Sequence, residues 1–340
     1  MEFNLNKMIR PHLAGVKSYQ TLRDSFLDKK VVFLDANENP FGEFNRYPDG
    51  DPIQLKMKLA EINQSKTENL FLGNGSDELI DLTMRIFCEP TKDSILIMDP
   101  SFVMYEIYAK MNNVKVEKLQ LNSDFELKKD SFLNTISKSQ AKVLFLCSPN
   151  NPTGNSIDDL EFYIQNFTGI VVVDEAYIEF SPEDSAVNLL SKYPNVIVLK
   201  TLSKAFGMAG LRIGVGFASP EIASLFIQLK PPYNISSESQ RLALEQLQNL
   251  EELKNNISII LNEKENFRVG LETISSATKI FPSDANFFLI KFKDAELVYQ
   301  KILKENILTS LRHPALKNCL RISVGTADEN SKLLSALSQI

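Results

Sequence analysis

The segment Thr201-Leu202-Ser203-Lys204-Ala205-Phe206-Gly207-Met208-Ala209-Gly210-Leu211-Arg212 sets one lysine among hydroxyls, glycines and an arginine. It follows the apolar run Asn195 to Leu199, which reads as a buried strand. Lys204 therefore belongs in the loop at a strand's carboxyl end, where open α/β sheets hold their ligands. A lysine among neutral groups and near another cation has its ammonium form disfavoured, which suits an amine that forms a Schiff base. Thr201, Ser203 and Arg212 can together hold a phosphate beside it. On this segment alone, a surface lysine on a turn is an equal reading.

Three more loops follow strands in the same way. Leu70-Phe71-Leu72 leads into Gly73-Asn74-Gly75-Ser76-Asp77-Glu78. There Ser76 and the first N–H groups of a helix can take an anion, although Ser76 or Asp77 can equally cap that helix. Val143 to Leu146 runs into Cys147-Ser148-Pro149-Asn150-Asn151-Pro152-Thr153-Gly154. Asn151 can donate to a ring oxygen, against ordinary Asn-Pro turn chemistry. Ile170 to Val173 ends in Asp174-Glu175-Ala176-Tyr177. A buried aspartate needs a cationic partner, either an internal ion pair or a protonated pyridine nitrogen. An amine, a carboxylate for a pyridinium, donors for a phenolate and a phosphate cradle are the four needs of pyridoxal 5′-phosphate. That cofactor is an electron sink only while its ring nitrogen stays protonated.

The elements that must position these loops are short β-branched runs alternating with amphipathic stretches. Strands are expected at 69–72, 94–98, 114–119, 142–146, 169–173, 195–199 and 211–217, and several are continuously apolar, as in a sheet covered on both faces. Beyond about residue 220 long helical stretches dominate (236–251, 255–275), then a strand at 286–291, a helix at 294–305, a strand at 319–324 and a last helix from about 328. The expected architecture is α/β. Residues 31–230 form a large cofactor-binding domain, and 1–30 with 231–340 form a smaller α+β domain, Pro231-Pro232 marking the boundary. A length of 340 residues suits two such domains.

Composition narrows the function classes. With 44% hydrophobic and 24% charged residues and a net charge of −6, the chain has the make-up of a globular protein without overall attraction for nucleic acid or anionic membrane. No apolar run is long enough to cross a bilayer. The first residues lack the apolar segment of a signal peptide, so the cytoplasm is the expected location. Cys88, Cys147 and Cys319 are widely spaced among apolar neighbours and read as reduced core residues. His12 and His313 are the two histidines and cannot build a multi-histidine metal centre, so no metal site is expected. An organic cofactor is the better reagent.

With those residues in hand, the chain resembles the fold type I, aspartate-aminotransferase-like PLP enzymes and, within them, the histidinol-phosphate aminotransferases. The superfamily resemblance lies in the order Asn151-Pro152-Thr153-Gly154, Asp174-Glu175-Ala176-Tyr177, Ser203-Lys204 and Arg212. The narrower one lies in Ser18-Tyr19-Gln20, Leu34 to Pro40, Asn45-Arg46-Tyr47-Pro48, Gly73 to Glu78 and Leu320 to Gly325. It implies a three-layer αβα PLP-dependent transferase fold with a mostly parallel seven-stranded sheet and a smaller α+β domain. Lys204 would be the Schiff-base lysine and proton shuttle, Asp174 the partner of the pyridine nitrogen, and Asn151 with Tyr177 the donors to the phenolate oxygen. Tyr105 matches the aromatic that stacks on the ring, while Ser76, Asp77, Thr201, Ser203 and Arg212 look like the phosphate cradle. Tyr47 resembles the tyrosine that reaches the neighbouring subunit's cofactor, implying a homodimer. Arg321 matches the arginine for the substrate's anionic group, and Tyr19 and Asn37 resemble pocket residues. Where relatives often carry a second arginine, this chain reads Ile307-Leu308-Thr309-Ser310-Leu311-Arg312-His313-Pro314, so Arg312 replaces it from a shifted position or the phosphate is held differently.

The activity this implies is reversible transamination between L-histidinol phosphate and 2-oxoglutarate, giving imidazole acetol phosphate and glutamate, within histidine biosynthesis. Rival readings on the same scaffold are an aromatic amino-acid aminotransferase and a threonine-phosphate decarboxylase. One of another class is a non-catalytic ligand-binding or regulatory module. A nicotinamide dehydrogenase lacks its full glycine motif here.

Overall fold

The computed structural model describes residues 3–13, 15–16 and 31–340. All seven expected strands of the large sheet form: β1 Leu70–Asn74, β2 Ser94–Asp99, β3 Lys115–Gln120, β4 Ala141–Cys147, β5 Ile170–Asp174, β6 Val196–Thr201 and β7 Ile213–Ala218. Their order is β1-β7-β6-β5-β4-β2-β3. β7 runs antiparallel to both its neighbours and the remaining strands share one direction. That topology gathers the site. The carboxyl ends of β1, β2, β4, β5 and β6 open on one edge, and the reversed β7 brings its amino end, with Arg212 just before it, to the same edge.

Every residue of β5, β6 and β7 is buried. The pleat sends Leu144, Leu146, Val171 and Val173 to one apolar cluster and Val143, Phe145, Ile170 and Val172 to the other. Helices cover both faces, which is why these strands read as unbroken apolar runs.

The smaller domain is an antiparallel sheet of β8 Ala277–Ile280, β9 Phe287–Phe292, β10 Ser310–Leu311 and β11 Cys319–Ser323, in the order β10-β11-β9-β8. Phe288, Ile290, Phe292, Leu320 and Ile322 pack with the helices Leu250–Glu272, Ala295–Lys304 and Ala327–Ser338. The opposite face carries Phe287, which packs with Tyr177, Phe180 and Ala205 of the large domain. β8 and β10 were not expected. They are short, and β8 is only half-buried, so neither leaves a strong alternation.

Packing divides the chain differently from a boundary at 231. Ala243, Leu247 and Leu253 join the apolar cluster of the large sheet, and Phe3, Leu5, Met8 and Ile9 pack on that sheet's other face. The handover to the small-domain core falls inside Leu250–Glu272, whose Phe267 and Leu271 belong to the latter. The expected helix 236–251 is broken where Asn249 caps the next helix by accepting the Glu252 N–H.

Candidate active site

The strand ends of the large sheet and the inner face of the small one enclose a cavity of about 280 Å³. Lys204 reaches it from the loop after β6, its Nζ 5.8 Å from the centre of the Tyr177 ring. The side chain stays accessible through the cavity mouth. Desolvation by the surrounding wall still lowers its ammonium pKa, and Arg321 and Arg212 lower it further.

The cradle lies at one end. Gly75, at φ +78°, precedes the helix Ser76–Phe87 and supplies no side-chain cap; neither Ser76 nor Asp77 caps the helix. Its first N–H groups are therefore free to face an anion. A Cβ on Gly75 would sit 2.3 Å from Arg212 Nη2, and one on Gly214 would sit 2.3 Å from Gly75 C and Ser76 N. Gly75 is required by its positive φ, and Gly214 by its close approach to backbone. Arg212 Nη1 donates to Ser203 Oγ at 3.3 Å, and the Ser203 N–H and hydroxyl meet Thr201 Oγ1 at 3.1 and 2.9 Å. Asp77 Oδ2 is 3.6 Å from Arg212 Nη2, so this carboxylate orients the guanidinium instead of facing the anion. Its other oxygen is buried and has no hydrogen-bond partner.

Asp174 ends β5, almost fully buried. Burial pushes its carboxyl up to about 6, opposed by hydrogen bonds from Tyr105 and the Ala176 N–H. Tyr177 is buried beside it and stays protonated, since burial pushes its phenol up. Asn151 is held by its neighbour. Fully buried Asn150 donates to Pro100 O at 3.0 Å and Thr153 Oγ1 at 2.7 Å and accepts from Ser101 Oγ at 2.8 Å. Nothing along the chain marks Asn150, because its bonds go inward.

Tyr105 is not on the cavity wall. In the first turn of the helix Met104–Met111 it points back into the sheet, fully buried, and stacks on Phe145. Phe102, in the loop before that helix, lines the cavity instead. Its signal was its place after the carboxyl end of β2, the rule that identified the other loops. Cys147 also lines the cavity, from the end of β4.

At the other end stand two arginines. Ser310 faces Arg321 across the β10–β11 ladder, and the ladder extends by one bond, Arg312 N–H to Cys319 O at 2.9 Å. Arg312 is two residues beyond Ser310 and so on the same face. Both guanidinium groups line the cavity. Arg321 lies 5.4 Å from the Phe287 ring and donates to Asn151 Oδ1. Burial and the neighbouring Arg321 lower the Arg312 pKa.

Not all the expected residues meet here. Tyr47 is 52% exposed, stacked on Tyr233 at 4.7 Å and away from its own chain's cavity. Asn37 is exposed with φ +56° and does not line it either. Tyr19 lies outside the described residues. Among the described residues no group of three His, Cys, Asp or Glu side chains can hold a metal ion. The donor set instead fits a pyridine with a phosphate arm: a carboxylate, two phenolate donors, an amine, and a glycine-lined cradle any Cβ would fill.

The family Aminotransferase class I and II matches residues 18–337. Histidinol-phosphate aminotransferases from Christiangramia forsetii and Parabacteroides distasonis are 42% and 43% identical to this chain, covering 100% and 99% of it and 99% of their own lengths. The histidinol-phosphate aminotransferase of Clostridium acetobutylicum superposes with a TM-score of 0.79 at 26% identity, over 87% of this chain and 90% of that one. The Sinorhizobium meliloti enzyme in complex with pyridoxal-5′-phosphate gives 0.79 at 24%, over 89% of each chain, a likeness of fold. This chain, a two-domain α/β protein with a lysine and an aspartate at neighbouring strand ends, belongs to the class I and II aminotransferases.

Proposed function

We propose that this protein transaminates L-histidinol phosphate with 2-oxoglutarate, giving imidazole acetol phosphate and glutamate, as a step of histidine biosynthesis. The observation that carries the reading is that one cavity is lined by Lys204 and Asp174, by the cradle residues Ser76, Thr201, Ser203 and Arg212, and by Arg312 with Arg321. Bound there, pyridoxal phosphate supplies an electron sink for the charge left when a proton leaves the substrate carbon.

The chain's residues divide the remaining work. Ser76, Thr201, Ser203 and Arg212 bind the cofactor phosphate, with Asp77 orienting Arg212. Asp174 holds the proton on the pyridine nitrogen, and Phe102 rather than Tyr105 covers the ring. Tyr177 donates its hydroxyl to the phenolate oxygen; Asn151 donates its amide N–H there, since its carbonyl is taken by Arg321. Lys204, its proton affinity lowered, anchors the cofactor and then moves a proton at the substrate carbon. Arg321 and Arg312 hold the substrate phosphate or the second substrate's carboxylate; guanidinium suits both.

We read the working form as a homodimer in the cytoplasm, with Tyr47 reaching the neighbouring subunit's cofactor phosphate. Val32, Leu34, Phe41 and Phe44, near Tyr47, are 81%, 87%, 82% and 68% exposed, more apolar surface than one short segment leaves to water without a partner. Cys88, Cys147 and Cys319 are free thiols, and no described helix is long and apolar enough to cross a membrane.

A spectral half-reaction titration tests the substrate. Histidinol phosphate should convert the cofactor to its amine form at lower concentration than phenylalanine or tyrosine. Preference for the aromatic amino acids sinks the substrate assignment and leaves the cofactor standing, whereas carbon dioxide release from threonine phosphate without amine-form accumulation makes the protein a decarboxylase.

A further inference from the structure

We propose that Tyr105 is a positioning residue for Asp174: from behind the cavity wall its hydroxyl holds the carboxylate charged and aimed at the cofactor's pyridine nitrogen. The inference rests on the reading of the cavity as a pyridoxal phosphate site.

Tyr105 is fully buried and its Oη donates to Asp174 Oδ2 at 2.6 Å. The ring is fixed on two sides, stacked on Phe145 at 4.8 Å and meeting Phe102 edge-on at 5.6 Å. Asp174 Oδ1 accepts the Ala176 N–H at 3.1 Å. Both carboxylate oxygens thus have a protein donor, so the group cannot turn, while each keeps a lone pair for the cavity. Fixed geometry alone would be ordinary core packing; the charge makes it functional.

A carboxyl buried this deeply is driven toward its neutral form. A neutral Asp174 would carry the proton itself and leave the pyridine nitrogen bare, which removes the electron sink. Tyr105 is the leading influence against that drift, ahead of the Ala176 N–H; Asp77 and Lys204 face the same carboxyl with opposite and smaller effects. Cys147 is the other titratable neighbour, and burial keeps it a neutral thiol. Burial and Asp174 itself hold Tyr105 protonated, so it remains a donor throughout.

The test uses full-length protein loaded with pyridoxal phosphate labelled with nitrogen-15 in the ring. It reads the pH midpoint at which the ring-nitrogen resonance titrates, together with cofactor affinity. Tyr105→Phe keeps the ring and removes the hydroxyl; it should lower that midpoint, weaken cofactor binding roughly tenfold, and reduce kcat with little change in KM. Tyr163→Phe is the control, because its buried hydroxyl also makes one hydrogen bond, to Leu127 O at 2.5 Å, far from the cavity chemistry. It should lower thermal stability and leave the midpoint alone. A difluorotyrosine at position 105, a stronger donor, should raise the midpoint and serves if Tyr105→Phe does not fold. A midpoint and affinity unchanged in Tyr105→Phe, or a midpoint unmoved by the difluoro residue, overturn the inference. Failure of the wild type to bind pyridoxal phosphate overturns the site reading instead.

Discussion

Lys204, Asp174 and Arg312 line one cavity, and burial there disfavours the charged form of each. Lys204→Ala should cost turnover by roughly 10²–10⁴-fold or more and abolish the visible absorption of a lysine-linked cofactor, checked by steady-state rates and an absorption spectrum. For Asp174 the sign of a pH effect follows from its folded pKa of about 6, above the ordinary 3.8. Its contribution to the stability of the cofactor-free fold is fully present below the ordinary value and is lost as pH rises through about 6. A bound pyridinium supplies the missing counter-charge, so the stability gap between cofactor-loaded and cofactor-free protein should widen by on the order of 1–3 kcal/mol across that range. Denaturant titrations of both forms at several pH values would detect a flat gap. Arg312→Ala should raise KM for histidinol phosphate about tenfold to a hundredfold, the worth of a hydrogen bond to a charged group, and disturb glutamate less because Arg321 remains. Equal effects on both substrates would place Arg312 outside the phosphate subsite. At this scale the chemistry was legible in Lys204, Asp174, Asn151 and Tyr177. Phe102 was not, because Phe102 and Tyr105 are both aromatics of one motif and only the start of the helix between them decides which faces the cavity.

Among the elements, the turn from β1 into its helix carries the tightest constraint. Gly214 of β7 passes so close to Gly75 and Ser76 that a methyl group there would meet backbone rather than a side chain able to move. Gly214→Ala should therefore push β7 away from the cradle, destabilise the fold by about 1–3 kcal/mol and weaken cofactor binding, measured by equilibrium dialysis. Loss of stability without loss of affinity would separate the strand from the cradle. β2, β4, β5 and β6 were readable because strands covered on both faces appear as continuous apolar runs. The two short strands of the small sheet were not, since β10 contributes two residues and β8 is only half-buried. It is β10 that brings Arg312 to the cavity wall: a period of two puts Ser310 and Arg312 on one face, a relation that needs the strand and its register with Arg321.

For the whole molecule, the two sheets close the site between them, and Phe287 with Arg321 brings the small domain against Tyr177 and Asn151. The exposed segment around Tyr47 is where the proposed second subunit would dock. Leu34→Asp combined with Phe41→Asp should halve the mass seen by sedimentation and weaken cofactor retention, because Tyr47 would lose its cross-subunit reach; an unchanged mass would rule out this segment as the contact. The α/β class, the strand ends and the residue types of a pyridoxal phosphate site were legible along the chain, since apolar runs and the loops after them are local properties. Packing between distant segments set the rest: β7 runs backward and brings Arg212 to the cradle, the helix after Pro231-Pro232 packs on the large sheet, and the Tyr105 hydroxyl meets Asp174 from behind the cavity wall. Those outcomes depend on which surfaces meet, and pairings between distant segments leave no period in the chain.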